Sequence, residues 1–347
     1  MKNVLITGGC GFIGSNFIRH VYRMYPDYRI LNIDLLTYAG NPENLREIEQ
    51  AEARSPEPER RYRFIKGDIC DTALLESLFE MHEIDVVVNF AAETHVDRSI
   101  INMTDFIRTN IGGVRSLIEA MQSGHINRFV HISTDEIYGS VENGHAAEDA
   151  SLRPSNPYSS SKAAADLIVQ SFMRTQGVPA LIVRGSNNYG PYQYPEKLMP
   201  LAISNLIEGK SIPIHGTGQH VRSWLHVEDF CRAIDLVVHS APLYAIYNVS
   251  GEERTNIDIL EALAKELGVD LGRHKMHIND RPGADLRYAP DAQKIKKELG
   301  WRPVHSLAQS MPGVVAWYLQ NRDWWTAVKN KKEFSDHYDK QSRGLWS

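Results

Sequence analysis

The chain's 347 residues are many for a single compact core and suit one large domain with a smaller one. Hydrophobic residues make up 42% and charged residues 23%, as in ordinary soluble globular proteins, and a formal net charge of −5 leaves no nucleic-acid footprint. Cys10, Cys70 and Cys231 are too scattered for a disulfide framework or a zinc site, so no metal is expected and free thiols fit a reducing cytosol; no apolar run approaches the ~20 residues of a membrane span.

Met1 runs directly into Lys2-Asn3-Val4-Leu5-Ile6-Thr7, which reads as a first strand and leads us to expect no signal peptide. Gly8-Gly9 end that strand, and 12–24 reads as a helix. Further short apolar runs follow at 29–33, 63–65, 85–90, 128–133 and 179–184, with helical stretches at 74–81 and 109–122 between them. Short strands alternating with helices imply a Rossmann-type α/β fold with a doubly wound parallel sheet. Segment 51–61 is charged and Pro-containing and reads as a surface excursion.

After about Gly185 the text grows richer in Pro, Gly and aromatics, with loops at 185–200 and 216–224 and helical patterns at 198–208, 227–239 and 257–267. We expect 1–185 to form the cofactor-binding unit, with a segment near 223–250 returning to it. Residues 186–330 mainly form a smaller α/β substrate domain, and 331–347 form a C-terminal tail with no assigned role. A ligand then lies in the crevice between the two domains, over the C-terminal ends of the strands.

Gly8, Gly11 and Gly14 form GxxGxxG directly after the first strand. Such a turn lets backbone approach a pyrophosphate and aims a helix N-terminus at it. Asp34 closes the second strand, where a carboxylate binds ribose hydroxyls and repels a 2′-phosphate, which selects NAD over NADP. Asp68-Ile69 end the third strand where an adenine can sit, and Ala91-Ala92 after the fourth let a cofactor lie close.

Tyr158 and Lys162 share one helix face at a spacing of four. A neighbouring ammonium should lower the tyrosine pKa, and the phenolate can then take a proton from an alcohol while NAD takes a hydride. Thr134 can share the substrate hydroxyl with Tyr158. Asp135 and Glu136 follow at the end of a central strand, where like charges push pKa values apart and supply an acid and a base for loss of water.

These stretches resemble the dTDP-glucose 4,6-dehydratase family of extended short-chain dehydrogenases. The resemblance is carried by Thr7-Gly8-Gly9-Cys10-Gly11-Phe12-Ile13-Gly14, Glu93-Thr94-His95-Val96-Asp97-Arg98-Ser99, Ser133-Thr134-Asp135-Glu136-Ile137-Tyr138-Gly139 and Pro157-Tyr158-Ser159-Ser160-Ser161-Lys162-Ala163. It continues through Ser186-Asn187-Asn188-Tyr189-Gly190-Pro191 and Asp280-Arg281-Pro282-Gly283. It implies a lyase in which Tyr158, with Lys162 and Thr134, oxidises C4, Glu136 abstracts the C5 proton, Asp135 protonates the departing C6 hydroxyl, and the hydride returns to C6. It also implies NAD contacts at Phe12, Ile13, Asp34, Thr37, Asp68, Ile69, Ala91, Ala92, Thr109, Tyr158, Lys162 and Asn188. Nucleotide-sugar contacts are implied at Thr94, Thr134, Asn187, Lys197, Leu198, Arg222, Asn256 and Arg281, the three cations facing the diphosphate.

Three positions depart from the family's pattern: Ser223 where Asp is usual, Ala284 where His is usual, and Leu286 where Arg is usual. All three are expected near the nucleotide end, so UDP-glucose or another sugar nucleotide stays open as the substrate. A C4-epimerase or decarboxylase on the same scaffold shares the first oxidation but has no use for Asp135-Glu136, and a catalytically silent cofactor-binding module has no use for any of these groups. The resemblance further implies a homodimer built from helices near 104–122 and 158–176, and the free thiols lead us to expect a cytoplasmic protein.

Overall fold

The computed structural model describes residues 2–122 and 126–345; residues 346 and 347 of the expected tail lie outside them. Seven parallel strands form the main sheet: β1 (Asn3–Thr7), β2 (Arg29–Asp34), β3 (Tyr62–Lys66), β4 (Val86–Asn89), β5 (Arg128–Thr134), β6 (Ala180–Gly185) and the later β10 (Ile246–Val249). Their order, β10-β6-β5-β4-β1-β2-β3, reverses direction beside β1 and is that of a doubly wound dinucleotide-binding sheet.

Both faces of this sheet are covered, so its strands are rich in apolar residues and sort their side chains by alternation. Val4, Ile6, Val86, Val88, Leu181 and Val183 point to one core, under α1 (Phe12–Met24) and α9 (Val227–Ser240). Leu5, Val87, Phe129 and Ile182 point to the other, under α3 (Thr72–Met81), α6 (Val114–Met121) and α7 (Pro157–Gln176). The short helices α2 (Arg46–Glu52), α4 (Val96–Ile101) and α5 (Thr104–Phe106) fill the connections.

The smaller body is built round Ile203, Ile214, Trp224, Leu263, Met311 and Trp325. It contains a three-stranded sheet of β7 (Asn187–Tyr189), β9 (Val221–His226) and β11 (Glu252–Thr255), and a two-stranded sheet of β8 (Ile212–His215) and β12 (Lys275–Ile278). Its helices are α8 (Leu198–Ile207), α10 (Asn256–Leu267) and α12 (Leu307–Gln320), while α11 (Gln293–Glu298) lies against β10. Two helices close the described chain, α13 (Arg322–Lys329) and α14 (Lys332–Ser342). Among the described residues no helix is long and apolar enough to cross a membrane.

Several local expectations are corrected. The expected loop at 216–224 is partly β9, whose Arg222 and Ser223 mask an almost wholly buried strand. The expected helix at 109–122 starts as a π-helical stretch, Ile107–Gly113, before tightening into α6. The excursion at 51–61 is pinned, because buried Glu52 accepts from the Tyr22 hydroxyl at 2.6 Å and from the amide of Arg61.

Candidate active site

The turn after β1 is shaped for close approach. Gly8 has φ +67°, and a Cβ there would stand 2.6 Å from the Ala91 nitrogen. A Cβ on Gly14 would collide with the Gly8 carbonyl, so only glycine lets α1 start against the strand. Gly11 caps α1 with no side-chain bond and no acid lies in its first turn, so the helix presents bare amides and its positive end. Asp34 accepts from the amide of Cys10 at 2.9 Å and from that of Leu36 at 2.8 Å. Burial pushes its carboxyl up while those two bonds pull it down. At Asp68 the upward push of burial is outweighed by the Cys70 amide and the Arg108 guanidinium, which hold the carboxyl low.

The catalytic end is set by two elements. β5 stops at Thr134, and Asp135–Tyr138 form a 3₁₀ turn that Thr134 Oγ1 caps by accepting from the Glu136 amide at 3.3 Å. This delivers Asp135 and Glu136 to the C-terminal edge of a central strand. Opposite them α7 begins with Asn156 and Ser159 in a reciprocal capping box and Pro157 in the first turn, which fixes the pitch of Tyr158 and Lys162. Ser99 Oγ accepts from the Tyr158 amide at 3.1 Å. The π-helical stretch places Asn110 to bond Ser161 Oγ at 2.8 Å and both backbone groups of Glu93, joining three segments around the site.

Asp135 is 2% exposed, and its Oδ2 finds no hydrogen-bond partner. Burial, and then the neighbouring Glu136, push its carboxyl well above the carboxylate range, the direction required of an acid. The Lys162 ammonium donates to the Ile132 carbonyl at 2.7 Å, and burial brings its pKa down to about 8. The expectation of a lowered Tyr158 is overturned. Burial and then Glu136 push the phenol upward, a bond with Thr134 pulls it down, and the lysine charge is spent on β5 rather than on the phenol.

One open cleft of about 290 Å³ joins both ends, lined by Gly8, Asp34 and Asp68 at one and by Asp135, Tyr158 and Lys197 at the other. The expected residues line it except Leu198, Arg222, Asn256 and Arg281. Arg222 and Arg281 stand beside it within electrostatic reach of Glu136. Leu198 opens α8 next to the lining residue Lys197, and Asn256 opens α10 with its amide bonded to the His220 carbonyl at 3.0 Å. Buried Ser133 Oγ, Ser186 Oγ, Asn187 Oδ1 and Asn188 Oδ1 in the lining have no protein partner and await a polar ligand.

One participant escaped the sequence reading. The Tyr288 hydroxyl lies 3.3 Å from Glu136 Oε2 and 2.8 Å from Asp285 Oδ2, and the Arg222 guanidinium covers its ring at 4.2 Å. Its only sequence signal is an aromatic shortly after Asp280-Arg281-Pro282-Gly283. The contacts of two of the three departures can be given. Ser223 Oγ accepts from the Gly251 amide at 2.9 Å, so that side chain ties β9 to the following turn, and the Leu286 side chain is 62% exposed.

A family model described as GDP-mannose 4,6 dehydratase matches residues 5–312. A dTDP-glucose 4,6-dehydratase of Streptomyces niveus is 43% identical, the alignment covering 95% of this chain and 96% of that one. The dTDP-glucose 4,6-dehydratase DesIV of Streptomyces venezuelae, solved with NAD and TYD bound, superposes with a TM-score of 0.88 at 42% identity over 94% of this chain and all (100%) of that one. The Bacillus anthracis dTDP-glucose 4,6-dehydratase, solved in complex with NAD, gives 0.86 at 41% identity, covering 95% and 100% of the two chains. With likeness along nearly the whole chain, and with strand order, glycine turn and the Thr134-Asp135-Glu136 edge in place, the chain belongs to the dTDP-glucose 4,6-dehydratase family, within the extended short-chain dehydrogenases.

Proposed function

We propose that the chain is an NAD-dependent hydro-lyase that converts dTDP-glucose to dTDP-4-keto-6-deoxyglucose. The observation that carries this reading is the buried, upward-shifted Asp135 beside Glu136, facing Tyr158 across one cleft. An epimerase or decarboxylase would have no use for such a pair.

The dinucleotide end fits NAD: a glycine cradle, a bare helix N-terminus, Asp34 at the end of β2 and the unpaired oxygens of Ser186 and Asn188. When bound, NAD supplies the reversible hydride acceptor that oxidation at C4 and reduction at C6 both require. Phe12, Ile13, Thr37, Asp68, Ile69, Ala91, Ala92 and Thr109 complete that wall. Tyr158, once ionised, takes the C4 hydroxyl proton, and Thr134 beside it pulls its pKa down against burial. Lys162 keeps a cation one helical turn away. Glu136 takes the proton from C5, acidified by the new 4-keto group, and returns one to C5 when C6 is reduced. Asp135 gives its proton to the C6 hydroxyl, which leaves as water. Asp135, Tyr158 and Lys162 are all buried, which keeps bulk water from competing for these protons. Lys197, Arg222 and Arg281 hold the diphosphate, and Thr94, Asn187, Leu198 and Asn256 are the remaining nucleotide-sugar contacts.

In this reading the sheet unit, 1–185 with the return at 223–250, holds the cofactor, and 186–330 mainly hold the nucleotide sugar. The protein works in the cytoplasm as a two-fold dimer through helices near 104–122 and 158–176. Their outward Ile107 and Leu167, 46% and 57% exposed, support such a face. Light scattering on the purified protein tests the dimer; a monomer removes it. The function is tested by mass spectrometry after incubation with dTDP-glucose and, separately, UDP-glucose. Loss of one water from the dTDP sugar supports the proposal. Loss from the UDP sugar alone keeps the mechanism and changes the nucleotide, and loss from neither overturns it.

A further inference from the structure

The family model stops at residue 312, and the chain continues into α13 and α14. α14 lies against the back of the cleft wall. Phe334 packs on Tyr194 at 6.2 Å between ring centroids, and His337 meets His95 edge-on at 4.6 Å. The Arg98 guanidinium reaches the Glu333 carbonyl at 3.5 Å and pairs with Glu196 at 3.2 Å. Tyr194, Glu196 and Lys197 line the cleft on the other side.

The deepest contact comes one turn later. Gln341, 7% exposed, donates its Nε2 to Oδ2 of Asp97 at 3.0 Å. Asp97 is wholly buried, and its other oxygen, Oδ1, accepts from Arg281 at 2.9 Å. Arg281 sits in an irregular stretch between β12 and α11 whose neighbours Pro282 and Gly283 are exposed. Asp97 is the ion-pair partner that ties the Arg281 side chain to the rest of the fold. With a cation on one oxygen and an amide on the other, the Asp97 carboxylate has one orientation that satisfies both.

We propose that Gln341 is a positioning residue: from the C-terminal helix it orients Asp97, and through Asp97 it sets Arg281 against the diphosphate of the bound nucleotide sugar. The part played by Arg281 rests on the functional reading above; the chain of contacts from Gln341 to Arg281 does not. Two alternatives differ in what they predict. If α14 only covers apolar surface, Phe334 matters and the Gln341 amide does not. If Gln341 merely satisfies a buried acid, stability changes and substrate affinity does not.

The test uses the full-length holoenzyme with Gln341→Met, which keeps the length and removes the donor. The KM for dTDP-glucose should rise about fivefold, with kcat within about twofold and bound NAD unchanged. In an Arg281→Ala background the same change should add nothing to KM, because the two act in series. Independently of turnover, amide hydrogen exchange over 279–287 should quicken in Gln341→Met. Should that variant fail to fold, Gln341→Asn, whose amide falls one methylene short, replaces it. An unchanged KM with unchanged exchange overturns the proposal, as does an equal KM effect with Arg281 already removed. A wild-type enzyme inert toward dTDP-glucose would overturn the functional reading alone, and hydrogen exchange would still decide the role of Gln341.

Discussion

Asp135→Asn separates the acid from its shape. Oδ1 accepts from the Thr134 hydroxyl at 3.4 Å, near the outer limit of a hydrogen bond, and Oδ2 accepts from no protein group. The isosteric amide therefore forfeits at most about 0.5–1 kcal/mol of hydrogen bonding. What it removes is an ionisable group that burial and Glu136 hold protonated far above its ordinary value of 3.8. In the unfolded chain this carboxyl ionises near pH 4, whereas in the fold it keeps its proton to higher pH. Wild-type stability therefore declines as pH rises from about 4 toward the folded value, and the variant lacks that decline. At neutral pH Asp135→Asn should be as stable as wild type or more so in urea denaturation. Its turnover should fall about 10²–10⁴-fold, the worth of a positioned general acid, or roughly 3–5 kcal/mol of barrier. Oxidation by Tyr158 should survive, so single-turnover mixing should show reduced-nicotinamide absorbance that persists while product, followed by mass spectrometry, is slow to form. Turnover within about tenfold of wild type, or a stability loss above about 2 kcal/mol at neutral pH, would refute the reasoning.

Three further outcomes are expected. Gly8→Ala forces a left-handed alanine whose Cβ stands 2.6 Å from the Ala91 nitrogen; the purified protein should lose most of its bound NAD and about 2 kcal/mol or more of stability, read by cofactor absorbance and denaturation. Tyr158→Phe should keep NAD but lose turnover by about 10³-fold, with no reduced nicotinamide forming on mixing. Arg184, 1% exposed, donates to Asp166 at 2.8 Å and also to the Tyr138 hydroxyl and the Glu148 carbonyl, so Arg184→Met strands a buried carboxylate and should cost about 3–5 kcal/mol in urea denaturation.

Six of the seven sheet strands were legible because both faces of a parallel sheet are buried, which writes apolar runs such as Val86-Val87-Val88 between turn residues, while β10 was legible only as part of a returning segment. The chemistry was legible because GxxGxxG, Asp135-Glu136 and Tyr158–Lys162 each join residue types that a single segment positions. The rest depends on contacts distant in sequence. Tyr288 reaches Glu136 across 152 positions and Gln341 reaches Asp97 across 244, and no local pattern encodes either. The direction of the Tyr158 shift was misread because spacing along a helix does not say where an ammonium points, and the Ile132 carbonyl takes it. The bond that Ser223 Oγ accepts from the Gly251 amide was not legible either, because it joins β9 to a turn 28 positions later.

The seventh strand has a consequence for how the protein is made. β10 pairs along β6 from Ile246 to Val249, yet the 60 residues 186–245 separate it from the end of β6. A ribosome adding about 5–20 residues per second delivers that partner roughly 3–13 seconds later. During that interval the nascent sheet carries Leu181-Ile182-Val183 on an unpaired margin, with α9, which covers one face, also still to be synthesised. An apolar open strand is a template for pairing with another chain. Translation through 186–249 is thus a window in which the β6 margin is open to pairing with another chain, and slowing synthesis there would lengthen it.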